Sequence, residues 1–154
     1  VTGDDAWLTK AGELLDDGAL VWRALQLHPQ RIAHGASAVN DPRLITQLIE
    51  RGITLDLCPT SNVQAGTVLT FADHPLVTLV RAGVPVTINT DDTTISDITL
   101  SEEWASCLEL LGLTLPELWH CNLHALRVAF VDEPTRSALL GRFHAWAAAI
   151  PELH

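Results

Sequence analysis

The stretch Val84-Pro85-Val86-Thr87-Ile88-Asn89-Thr90-Asp91-Asp92-Thr93 decides how this chain is read. It follows Gly83, runs through β-branched residues at strand density, and ends in two adjacent carboxylates. A buried strand that delivers charge at its C-terminal tip is the pattern of an α/β protein, where strand ends carry functional groups. An aspartate after a strand also caps the helix that follows, and one aspartate suffices for that. The second leaves a carboxylate over for a site.

Upstream, the same unit repeats. Asp41-Pro42 starts a helix with aspartate as cap and proline at the first position, Leu44, Ile45, Leu48 and Ile49 keep helical spacing, and Gly52 ends it. Residues 53–58 alternate as a strand and stop at Pro59-Thr60-Ser61-Asn62, where a loop is expected. His74-Pro75 opens a further helix that ends at Gly83. Before these units, Arg31-Ile32-Ala33-His34-Gly35 reads as a short strand, preceded by a helix with Leu20, Val21, Ala24 and Leu25 on one face. Residues 6–9 read as a strand ending at Lys10-Ala11-Gly12-Glu13. Strand and helix thus alternate four times, which predicts a parallel sheet with right-handed crossovers. Three helices, near residues 100–112, 115–130 and 134–148, close the chain, the second opened by the capping box Thr114-Leu115-Pro116-Glu117. No linker interrupts residues 1–154, so one domain is expected.

The composition narrows the function classes. Nineteen acidic against nine basic residues give a net charge of −10, which argues against nucleic acid or an anionic membrane as partner. No apolar run reaches the roughly 20 residues of a membrane span, and the acidic N-terminus is unlike a signal peptide. Cys58, Cys107 and Cys121 lack C-x-x-C spacing and read as buried thiols, which predicts a cytoplasmic protein. Methionine is absent and the chain begins at Val1, as expected of a sequence that lost its start residue or is part of a longer one.

The polar groups after the strands are Lys10 and Glu13, His34, Ser61 and Asn62, and Asp91 and Asp92. In a parallel sheet they emerge on one edge, where a histidine and several carboxylates supply a general base, an acid and oxygen ligands. Simpler readings stand beside these: His34 as a turn residue, Glu13 as a partner of the helix dipole, Lys10 as a loop cation. His120 and His124 share a helix face at i, i+4 spacing, but surface or capping roles suit them better than a metal.

Lys10-Ala11-Gly12-Glu13, Arg31-Ile32-Ala33-His34-Gly35, Leu57-Cys58-Pro59-Thr60-Ser61-Asn62, His74-Pro75-Leu76 and Asn89-Thr90-Asp91-Asp92, in this order and spacing, resemble the C-terminal half of the adenosine deaminase family of the amidohydrolase superfamily. The resemblance implies α/β architecture, half of a (β/α)8 TIM-type barrel: strands five to eight with their helices, plus C-terminal helices. It implies roles as well. Asp91 would be a carboxylate ligand of zinc, His34 would orient and deprotonate the attacking water, and Glu13 would protonate the ring nitrogen. Asp92, Gly12, Ser61 and Asn62 would face a purine-like substrate. Metal-bound water ionises near neutrality, giving hydroxide for attack on the amine-bearing carbon.

The sequence departs from that family at Lys10, which stands at a histidine ligand position and has no lone pair to offer. It also lacks the His-x-His that supplies two further ligands. Whether zinc binds is therefore left open, and a metal-free site held by a Lys10–Asp91 ion pair is one expectation. The strand residues Ile53, Leu55, Leu57, Val86 and Ile88 need cover, which predicts a second copy or a complementary N-terminal half-barrel chain. Two readings follow. In the first, the completed barrel hydrolytically deaminates a purine nucleoside or related amino-heterocycle. In the second, a metal-free half-barrel is an inactive ligand- or protein-binding subunit, or turns Lys10, Glu13, His34 and Asp91 to other chemistry.

Overall fold

Three short parallel strands in the order β1-β2-β3 form the centre: β1 (Arg31–Ala33), β2 (Thr54–Leu57) and β3 (Val86–Ile88). The computed structural model describes residues 18–153, so the strand expected at residues 6–9, with Lys10, Gly12 and Glu13, lies outside the described residues. Register is set by Ile32 opposite Leu55 and Leu55 opposite Val86. The strands are shorter than the sequence suggested. Their hydrogen bonding nevertheless runs past the ends, with Leu55 N donating to Pro85 O (2.9 Å) and Asn89 N to Leu57 O (2.9 Å).

Helices α1 (Ala19–Leu25), α2 (Pro42–Glu50) and α4 (Leu76–Arg81) precede the three strands in turn. Asp41 caps α2 through Arg43 N (2.9 Å) and also accepts from Trp22 Nε1 (3.0 Å), which ties α1 to α2. The expected loop at Pro59 is instead a short helix, α3 (Pro59–Gln64). Proline at its first turn needs no partner for a missing N–H, and the Thr60 amide donates to buried Glu103 (2.9 Å), as does the Thr60 hydroxyl. After β3 come α5 (Thr93–Ser96), α6 (Leu100–Glu109), α7 (Leu115–Arg127) and α8 (Glu133–Ala147). The predicted capping box at Thr114 and Glu117 is present, and Glu117 also accepts from Arg81 Nε (2.7 Å), fixing α7 against α4.

The core corrects one expectation. Leu55 and Leu57 are fully buried, and Ile53, Val86 and Ile88 nearly so, in one cluster with Leu44 and Leu48 of α2, Leu76 and Leu79 of α4 and Leu118 of α7. The chain's own helices cover the residues that were expected to need a partner. Burying a leucine side chain in this way contributes about 2 kcal/mol. What remains open is the sheet's margin, since β1 and β3 each pair with one strand among the described residues. No described helix is long and apolar enough to cross a membrane.

Candidate active site

Two of the three strands, β1 and β3, hand the site their side chains through left-handed exits, while β2 runs straight into α3. His34 N still donates to Asp56 O (2.8 Å), continuing the ladder one residue past β1. The chain then turns through two left-handed residues, His34 (φ 59°) and Gly35 (φ 81°). Glycine suits the second, where φ is positive and a Cβ would sit 2.9 Å from Cδ2 of buried Leu55, which would have to move. After β3, Asp91 is again left-handed (φ 61°), a conformation that costs a non-glycine residue about 1 kcal/mol and recurs at functional sites.

These exits bring four of the expected residues together. His34 Nε2 lies 3.6 Å from Asp91 Oδ2, and Ser61 Oγ donates to the same oxygen (2.8 Å). Asn62 Nδ2 lies 3.2 Å from His34 Nδ1. The His34 and Asp91 side chains are 40% and 45% exposed, so the pair opens to solvent. Both face a cavity of about 820 Å³, lined also by Ser61, Asn62, Ile32 and Val68, a volume suited to a small ligand. Asp92 behaves differently. Its Oδ1 accepts from Thr94 N (2.8 Å) and Ile95 N (3.0 Å), so it caps α5.

Two residues without an expected role complete the arrangement. His74, read from the sequence as a helix start and as part of a motif of the family resemblance but given no role, is 5% exposed, and its Nε2 lies 3.1 Å from Asn62 Oδ1. Burial pushes its ring down to about 4, so it is neutral. Glu103 is fully buried under Thr60 and holds the first turn of α3, from which Ser61 and Asn62 project. Glu103 stands beside Glu102 in the first turn of α6 and reads in sequence as one more first-turn carboxylate, so no local signal marked it. The motif His74-Pro75-Leu76 marked His74 without pointing to its partner Asn62. His124 bonds Thr54 Oγ1 (2.9 Å), a structural contact. Cys58, Cys107 and Cys121 are buried and free, as expected, and burial pushes each thiol up to about 12.

A tetrahedral zinc takes three or four protein donors. Among the described residues no group of three histidine, cysteine, aspartate or glutamate side chains forms a metal site. Asp91 offers one carboxylate with His34 beside it, so on their own the described residues do not fit the ion.

Strand–helix units with a histidine and a carboxylate at the strand C-termini define part of an α/β-barrel enzyme scaffold. The adenosine deaminase family model matches residues 4–146, and the chain belongs to that family. It is 40% identical over 130 residues to the aminodeoxyfutalosine deaminase of Streptomyces coelicolor, covering 84% of this chain and 34% of the relative. It is 40% identical over 136 residues to the adenine deaminase of Sinorhizobium fredii, covering 87% of this chain and 41% of the relative. The chain thus spans about a third to two fifths of the length of these relatives. Among solved structures, the adenine deaminase of Arthrobacter aurescens superposes with a TM-score of 0.80 at 26% identity, over 85% of this chain and 40% of that one. An amidohydrolase from Burkholderia ambifaria with bound zinc gives 0.72 at 29% identity, over 80% and 35%. The architecture is that of TIM-barrel deaminases, of which this chain carries the C-terminal part.

Proposed function

We propose that the chain forms one half of a hydrolytic deaminase site for a purine nucleoside or related amino-heterocycle. Strands from a complementary N-terminal half-barrel chain, or from a second copy, would complete the barrel. The observation that carries this reading is the convergence of His34, Ser61, Asn62 and Asp91 from the exits of three strands onto one open cavity. The names of the relatives, all deaminases of amino-bearing purine-type compounds, support it. In the reaction, water adds to the amine-bearing carbon, the ring nitrogen gains a proton, and ammonia leaves. His34 and Asp91 stand where they can hold the water, and Glu13 is the candidate for protonating the ring nitrogen. Residues 1–154 act as one unit, and three buried free thiols fit a reducing cytoplasm.

Lys10 favours a second reading, in which the site binds such a heterocycle without turning it over. One experiment separates the two. The chain is fused behind the N-terminal barrel strands of the Sinorhizobium fredii relative, once with Lys10 kept and once with Lys10→His, in zinc-containing buffer. Ammonia release from adenosine, adenine and aminodeoxyfutalosine is then followed. The expected result is turnover by the Lys10→His fusion and turnover slower by about 100-fold with Lys10 kept. A folded Lys10→His fusion that releases no ammonia from any of them overturns the deaminase reading. Binding without turnover by the Lys10 form alone supports the second.

A further inference from the structure

A chain of hydrogen bonds enters the site from behind, and its polarity is fixed at the buried end. The Leu76 amide donates to His74 Nδ1 (3.2 Å), so that nitrogen must carry the lone pair. His74 is buried and neutral, so its single proton is on Nε2 and points at Asn62 (3.1 Å). The group facing it must therefore be the Asn62 oxygen, which fixes the orientation of the amide. The Asn62 amide nitrogen, which only donates, then faces His34 Nδ1 (3.2 Å). Asn62 cannot swing away. It is 4% exposed, and its backbone is pinned on both sides: its main-chain N–H donates to Cys58 O (2.9 Å), and its main-chain carbonyl accepts from Thr67 N (3.0 Å) and Thr67 Oγ1 (2.9 Å).

The geometry points to Asn62 and His74 as a positioning pair that holds neutral His34 in one tautomer, with the lone pair on Nδ1 and the proton on Nε2, aimed at Asp91. In that form Nε2 presents a proton to the cavity. His34 then orients a bound oxygen atom and steadies negative charge developing on it, and takes no proton at that nitrogen. This amends the role of water-deprotonating base that the resemblance implied. The inference deepens the deaminase reading of the site, yet its test involves no turnover, so either can fail alone.

The test is a long-range proton–nitrogen correlation spectrum of the chain with ¹⁵N-labelled histidine, recorded at a pH where the rings are neutral. His34 is assigned by loss of its signals in His34→Gln. The expected result is a pure Nε2–H pattern for both His34 and His74. In Asn62→Asp the carboxylate accepts from both rings, and His34 is expected to switch to Nδ1–H while His74 stays Nε2–H. In Asn62→Ala His34 is expected to become a tautomer mixture. A mixture or an Nδ1–H pattern for His34 in the unsubstituted chain overturns the proposal, and so does a pattern that neither substitution changes. The unsubstituted chain alone decides the matter should both variants fail to fold. Unchanged His74 signals report that the fold around the pair is intact.

Discussion

Two polar groupings flank the same three strands and differ in exposure, backbone conformation and the closeness of their contacts. On one face of the sheet, Arg31 binds Asp56 through two nitrogens (Nε to Oδ2 3.0 Å, Nη2 to Oδ1 2.9 Å), and Thr87 Oγ1 donates to the same carboxylate (2.6 Å). Arg31 also donates to Val128 O (3.1 Å) and lies over the Phe130 ring, while Thr54 beside it is fully buried against His124. Each Arg31 nitrogen and the Thr87 hydroxyl has an acceptor there, and Arg31, Asp56 and Thr87 sit on regular strands. Beyond the strand ends, His34 and Asp91 are left-handed, half exposed and 3.6 Å apart, too far for a direct hydrogen bond and close enough to share a third atom. A closed grouping stabilises; an open, strained one is available to a ligand. Barrel folds divide stability and function in this way, with the C-terminal edge given to function.

The contrast can be attacked from both sides. The largest effect is expected from His34→Ala in the Lys10→His fusion. Ammonia release should fall by about 100-fold or more, the range lost with a proton-handling or oxygen-orienting group. Its unfolding midpoint in urea should barely move. A comparable loss of stability would place His34 with the closed grouping.

Acid should act through His74. Its folded-state pKa is lowered to about 4, below the ordinary value of 6.5, so the unfolded chain binds the extra proton first. Stability is then fully present above about pH 6.5 and is lost as pH falls from there to about 4, by roughly 3 kcal/mol. Urea titrations across that interval, with His74→Gln flattening the slope, check it.

Asp56→Ala comes next. It leaves Arg31 without its carboxylate and Thr87 without its acceptor, and should cost about 2 kcal/mol in chemical denaturation. Smaller and of opposite sign, His34→Gly should raise stability by about 1 kcal/mol by releasing the left-handed strain, at the expense of the site. The slightest effect is kinetic. The three buried thiols should resist a disulfide-exchange reagent in the native state and react together on unfolding.

Much of the scaffold was legible because its signals are local. Asp41-Pro42, Thr114 to Glu117 and the alternation of residues 53–58 each specify their element within a few residues, and the structure has all three. His34, Ser61, Asn62 and Asp91 were legible as a set because parallel strands deliver their tails to one edge. Two things could not be read this way. Part of the cover of Leu55 and Val86 comes from α7, some sixty residues past Leu55, and no local pattern shows that contribution. Nor does spacing reveal that His74 orients Asn62, since that contact depends on how a loop folds back and on which nitrogen keeps its proton. Asp91 and Asp92 show the limit most closely: adjacent and alike in sequence, they part into an open site and a helix cap because only Asp91 is left-handed.

The strand order β1-β2-β3 repeats the order in which the chain is synthesised. Each new strand therefore lands beside the one just finished, and loop-closure entropy stays small at every step. The sheet can grow on the ribosome one strand–helix unit at a time. The bond from Arg31 to the Val128 carbonyl, 97 residues later, closes only after α7 has emerged, together with the packing of Leu118 onto the core that the local pieces leave uncovered.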